Sequence, residues 1–217
     1  MHRRLVNQQG RFVPKPHRGP LDELIMTVLS QHTSDVNTER AFGTLKSRFP
    51  EWDQVMDAST LEVADAIRSG GLADQKAPRI KRILEEIVTR EGRPDLRGLA
   101  SLQDAEVEAY LTSLPGVGPK TAACVLVFSM GRHAFPIDVH VHRIALRLGW
   151  ISPKTTAEVA HRELTPRVPP ELRYELHMKL IRHGREVCVA RMPRCTDCVL
   201  FDLCEAGPVL LANGEAR

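Results

Sequence analysis

Apolar residues recur along this chain with the period of helices. In LDELIMTVLS, Leu21, Leu24, Ile25, Val28 and Leu29 keep the i, i+3, i+4, i+7, i+8 spacing of one buried helical face. Ile80, Ile83, Leu84, Ile87 and Val88 stripe a longer helix that Asp74 is placed to cap, and Asp35 is placed to cap an earlier one. Ser59 followed by Glu62 is a capping-box pattern, opening a short helix that ends at Gly70-Gly71. Ser101 is expected to cap a helix to Ser113, Pro119 to open one running to Met130, Asp138 to cap one stopped at Gly149, and Thr156 and Glu171 to begin two more. No alternating strand pattern of useful length occurs, so the sequence predicts an all-α protein. The opening twenty residues, basic and broken by prolines, read as an irregular arm.

At 217 residues with 42% hydrophobic and 26% charged content, the composition is that of a folded globular protein and excludes a disordered one. The longest apolar stretch, around Ala122 to Met130, is too short for a bilayer, and the N-terminus lacks the apolar core of a signal peptide. The expected place is the cytoplasm. Net charge is +3 but uneven: +5 over 1–18, −5 over 19–131, +6 over 132–194 and −3 over 195–217. Such concentration suits one face presented to a polyanion, and equally a solvated basic surface. The shift near residue 132 is the best candidate for a module boundary.

Three stretches carry chemistry. LPGVGPKTA, Leu114 to Ala122, places Gly116 and Gly118 in a tight turn between two helices, with Pro119 at the favoured first helical position. Glycines allow close backbone approach, and N–H groups at a helix start attract phosphate, so the stretch is either a helix-hairpin-helix phosphate clamp or a plain turn. Lys120 lies in the first turn of the second helix, where the positive end of the dipole disfavours an ammonium; a neutral lysine is a nucleophile. In PIDVHVHRIALRLG, Asp138 is a helix N-cap whose fixed carboxylate is also able to stabilise a developing oxocarbenium ion or relay a proton. His140 and His142, two apart on a helix, do not face each other and are not read as a metal pair. Cys188-x6-Cys195-x2-Cys198-x5-Cys204 gathers four thiolates for tetrahedral zinc or a [4Fe–4S] cube, without the two close pairs of a zinc ribbon. Cys124, alone on an apolar helix, reads as a core residue.

The hairpin, the Asp138 helix and the cysteine loop, in this order from about Leu21 to Cys204, resemble the endonuclease III family of helix-hairpin-helix DNA glycosylases. The resemblance implies two helical modules with a DNA-binding cleft between them: a six-helix barrel of residues 19–131 holding the hairpin (114–122), and an iron–sulfur module of 1–18 plus 132–217 with its cluster loop at 188–204. It implies a monomeric bacterial enzyme, associated with the nucleoid, that flips oxidised pyrimidines out of double-stranded DNA and also acts on abasic sites. Lys120 would displace the base, form a Schiff base and cleave 3′ of the site by β-elimination, with Asp138 as the assisting carboxylate. Cys188, Cys195, Cys198 and Cys204 would hold a [4Fe–4S] cluster. DNA contacts would come from Gln31, His32, Leu72, Gly116, Val117, Gly118, His140, Arg191 and Arg194.

Two departures from the family pattern bear on lesion range. Where the family has Ser-Ala-Gln-Ala-Thr-Asp, this chain has Ser30-Gln31-His32-Thr33-Ser34-Asp35, so the void-filling glutamine is displaced to Gln31 or replaced by His32. Leu72 matches the wedge beside the lesion, whereas Gly70 replaces a larger apolar residue. The competing readings are an adenine- or mismatch-specific monofunctional glycosylase, which Lys120 disfavours, and a non-catalytic iron–sulfur DNA-binding or electron-carrying protein.

Overall fold

The computed structural model describes residues 1–12 and 18–217, and its regular elements among these are all helical. The chain divides into two compact units, Met1–Lys15 with His133–Arg217 and Pro16–Arg132.

The Pro16–Arg132 unit contains α2 (Pro20–Leu29), α3 (Asp35–Arg48), α4 (Trp52–Asp57), α5 (Thr60–Ala66), α6 (Ala73–Glu91), α7 (Asp104–Thr112) and α8 (Pro119–Phe128). Thr121 to Val127 are buried without a break, so α8 is covered on every side, with α2 and α7 packed against it. A helix apolar all round belongs in the middle of its unit. The expected stripe on α2 is buried as predicted, and so are Ile80, Ile83, Leu84 and Ile87 of α6, which packs against α4 and α5.

The other unit has α1 (His2–Gln9), α9 (Val139–Arg147), α10 (Ala157–Leu164), α11 (Arg173–Glu186) and α12 (Ala206–Ala212). Its core joins Leu5 with Phe135, Ile137, Val141, Ile144, Leu148, Leu164, Leu176, Leu180 and Leu200. The beginning of the arm is therefore helical, contrary to its irregular reading. It carries one buried leucine and little intrinsic helix signal; docking on α11 stabilises it, with His2 bonded to Glu175 at 2.9 Å and Arg4 to Asp202. The rest of the arm's reading, at residues 13–17, lies outside the described residues.

Several caps also differ from expectation. Ser34, one residue ahead of Asp35, caps α3 by accepting from the Asn37 N–H at 3.3 Å. Leu72 rather than Asp74 precedes α6, in a left-handed conformation with φ 51°. Asp74 instead lies in the first turn, where the dipole favours its charge. Gln103 caps α7 because Glu106 reciprocates in a capping box, while Ser101 belongs to a preceding 3-10 turn. The Ser59–Glu62 box, Pro119 at the start of α8, the Asp138 cap and the Thr156 cap stand where the sequence places them.

Candidate functional site

The hairpin is built from its sequence in a direct way. The Val117 N–H donates to the Leu114 carbonyl at 3.2 Å, closing a turn with Pro115 and Gly116 at its centre; Gly116 has φ 73°, which a type II turn needs at that position. Leu114 and Val117 are buried and anchor the turn, while Gly116 is exposed. The Gly116 and Gly118 N–H groups make no hydrogen bond among the described residues. Backbone donors left without a protein acceptor beside a helix start suit an anion. Lys120 follows at the second position of α8, half-buried.

Glu23 on α2 lies off the apolar stripe, where the helical pattern gives no sign of burial. It is 7% exposed and accepts from the Thr27 hydroxyl at 3.4 Å. Burial pushes its carboxyl up to about 7, with the opposing charges of Arg18 and Lys120 pulling the other way. Lys120 is thus within electrostatic reach of a buried acid that titrates near neutrality. Because the folded value lies above the ordinary one, Glu23 contributes stability below about pH 4.5 that is lost as pH rises through about 7. Glu23→Gln is therefore expected to raise stability at pH 8 by on the order of 2 kcal/mol and to change little at pH 4. Paired denaturant titrations at the two pH values check this, and an equal effect at both would contradict it.

The same unit presents the predicted lesion contacts. Gln31 is half-buried, its side-chain oxygen accepting from Arg79 Nη1 at 2.9 Å. His32 is exposed with φ 56°, and Leu72, 46% exposed, has φ 51°. Only three non-glycine residues among those described have positive φ, and two are these; the third is Met192 in the cysteine loop. Left-handed backbone at ordinary residues collects at functional positions. Gly70 has a local reason to be small: a Cβ there would lie 3.0 Å from that of Ala41.

In the other unit, Asp138 Oδ1 accepts from the N–H groups of His140 and Val141 at 3.0 and 2.8 Å, so Oδ2 takes no part in the cap. His140 is half-buried against Gly184 and Arg143, whereas His142 Nε2 meets the Thr155 carbonyl at 2.9 Å. Arg143 Nε and Nη2 donate to the carbonyls of Cys188 and Gly184 at 3.1 and 2.8 Å, and Arg147 donates to those of Val189 and Ala190 at 2.8 and 3.0 Å. Two arginines thus fasten the helix capped by Asp138 to the start of the cysteine loop.

Cys188, Cys195, Cys198 and Cys204 line one small apolar cavity together with Arg147 and Phe201. None forms a disulfide. Burial and the neighbouring thiols push Cys195 up, and Cys198 up to about 11. Cys198 Sγ also lies 3.5 Å from Nε2 of His183, which burial lowers to about 4. Among the described residues no group of three or more His, Cys, Asp or Glu side chains is set to hold a single metal ion. Arg191, Met192 and Arg194 are exposed between the first two cysteines.

Residues 25–170 match the model of the HhH-GPD superfamily base excision DNA repair proteins. Endonuclease III of Thermotoga maritima is 35% identical over 205 residues, covering 93% of this chain and 91% of that protein. The Arabidopsis thaliana protein At3g47830, named as a DNA glycosylase, is 41% identical over 165 residues; the match covers 76% of this chain but 56% of that longer protein. The solved structure of a trapped endonuclease III–DNA covalent intermediate superposes with a TM-score of 0.82 at 26% identity, covering 97% of this chain and 95% of that one. This chain belongs to the HhH-GPD superfamily of base excision DNA repair proteins.

Proposed function

We propose that the protein is a bifunctional DNA glycosylase and abasic-site lyase that removes oxidised pyrimidines from double-stranded DNA. The observation that carries the reading is Lys120, set in the first turn of α8 directly after a hairpin whose Gly116 and Gly118 N–H groups have no acceptor among the described residues. The hairpin holds a backbone phosphate, and Leu72, His32 and Gln31 occupy the gap left by the extruded base. The Lys120 amine attacks the sugar C1′; a C–N bond forms to the enzyme as the bond to the base breaks, and the base leaves with a proton. The C1′–O4′ bond then breaks, O4′ taking up a proton as the ring opens, and the protonated Schiff base so formed between Lys120 and C1′ acidifies C2′. Loss of the C2′ proton expels the 3′ phosphate by β-elimination. Asp138, its Oδ1 fixed by backbone donors, keeps a negative charge available to stabilise the developing positive charge at C1′.

The four cysteines fit a metal group. They share one apolar cavity, where four thiolates need a cationic centre to balance them. A single zinc ion requires its sulfurs about 2.3 Å from one point. Four cysteines around one cavity, spaced without the two close pairs of a zinc ribbon in a chain similar to endonuclease III, favour the larger [4Fe–4S] cube. When bound, that cluster supplies stiffness rather than reaction chemistry. Arg143 and Arg147 carry the loop's order to the Asp138 helix, and Arg191 and Arg194 contact the DNA backbone. The protein works as a monomer on chromosomal DNA; among the described residues no helix is long and apolar enough to cross a membrane.

End-labelled duplexes carrying thymine glycol or an abasic site test the reaction. Both should be cut to the β-elimination product. An abasic strand left intact after prolonged incubation would remove the lyase assignment.

A further inference from the structure

We propose that Lys76 and Arg79 are positioning residues that lock the lesion-probing turns to one face of α6: Lys76 joins the Gln31–His32 turn to the Leu72 turn, and Arg79 joins Gln31 to the hairpin. The inference rests on the reading of those turns as DNA contacts.

Lys76 is 2% exposed, and its ammonium donates to the carbonyls of Leu29 at 2.7 Å and Gly70 at 2.8 Å. Leu29 is the last residue of α2 and Gly70 the last of a 3-10 turn over Arg68–Gly70. Carbonyls at helix ends carry partial negative charge and lack partners within their own helix. One buried ammonium therefore satisfies two helix ends, with no ion pair to a carboxylate among the described residues. Immediately after these two carbonyls come Ser30-Gln31-His32 and Gly71-Leu72. A lysine is a costly residue to bury, and a methionine would fill the same space without a charge to satisfy. What the ammonium adds is a fixed distance between the two turns, both of which hold a non-glycine residue in left-handed backbone and would relax without an anchor.

Arg79 is three residues further, on the same helical face. It donates to the Gln31 side-chain oxygen at 2.9 Å, and its Cδ and Nε lie 2.9 Å from where a Cβ on Gly116 would stand. Its stem thus lies along the hairpin backbone, and the guanidinium fixes the orientation of the Gln31 amide. Three separate loops converge on Lys76 and Arg79.

The test compares Lys76→Met, Arg79→Ala and Leu72→Ala with wild type in the full chain. Two single-turnover rates are measured, excision of thymine glycol and cleavage of a preformed abasic site, along with the fluorescence rise of 2-aminopurine placed beside the lesion. An abasic sugar has no base to extrude, so its cleavage depends less on the probing turns. Lys76→Met and Arg79→Ala should each slow excision by roughly tenfold, a loss of about one decade in transition-state stabilisation, blunt the fluorescence rise, and leave abasic cleavage within about threefold of wild type. Equal falls in both rates, the mark of general loosening, would overturn the inference. So would wild-type behaviour of both variants while Leu72→Ala loses the fluorescence rise. If Leu72→Ala also behaves as wild type, the underlying reading of the turns fails instead. Should Lys76→Met not fold by circular dichroism, half-buried Arg79 decides the matter alone on the same criteria.

Discussion

Replacing Lys120 by alanine is expected to leave the fold intact and to slow both base excision and abasic-site cleavage by roughly 10³-fold or more, as removal of a covalent nucleophile does. The α8 core runs from Thr121 to Val127, and half-buried Lys120 lies just outside it, so no cavity follows from its removal. Lys120→Arg separates two roles. It keeps the charge that a phosphate contact needs but lacks a nucleophilic amine, so DNA affinity should persist while reaction stops. If Lys120→Arg retains wild-type cleavage, Lys120 is a phosphate contact and the nucleophile lies elsewhere. The alanine variant also removes one of the charges that lower Glu23, so the stability lost with rising pH should be larger than in wild type and the loss should continue to a higher pH.

The second large effect is expected at the cysteine loop. Cys198→Ser should lose iron and the brown colour of the wild-type protein, and should destabilise the unit containing α9 and α11. Cys198 packs against buried His183 of α11, while the first cysteine's carbonyl is held by Arg143 of α9. Losing the metal group would therefore loosen both helices. A cost on the order of 5 kcal/mol lowers the melting temperature by roughly 10–20 °C in a chain of this size. DNA affinity should fall with it, because exposed Arg191 and Arg194 lie between Cys188 and Cys195. Metal content per chain and thermal melts check this. A colourless wild type carrying one zinc ion would replace the cluster reading with a tetrahedral site.

Much of this was legible in the residues because the strongest signals are local. The α2 and α6 stripes, the Ser59–Glu62 box and the Asp138 cap depend on neighbours within one turn of helix, and each stands where its pattern puts it. The Cys188 to Cys204 spacing likewise keeps four sulfurs within one loop. What escaped depends on distant partners. α1 is helical because Leu5 enters a core made mostly of residues beyond 134, which nothing in HRRLVNQQ announces. Lys76 stands one turn ahead of Ile80 in register with the buried face, and only the distant carbonyls of Leu29 and Gly70 account for a lysine there. Glu23 falls on the polar side of the α2 pattern, yet it is buried near the lysine expected to react. The left-handed backbone of His32, Leu72 and Met192 has no glycine or asparagine to mark it, since surrounding structure imposes it.

The most direct test of the central claim is borohydride reduction during incubation of the wild-type protein with a duplex containing an abasic site, followed by peptide mapping of the product. A Schiff base at Lys120 predicts a stable protein–DNA adduct on the peptide that begins α8 (Pro119–Phe128), and none with Lys120→Ala. No adduct with wild type, or an adduct on a different residue, would contradict it.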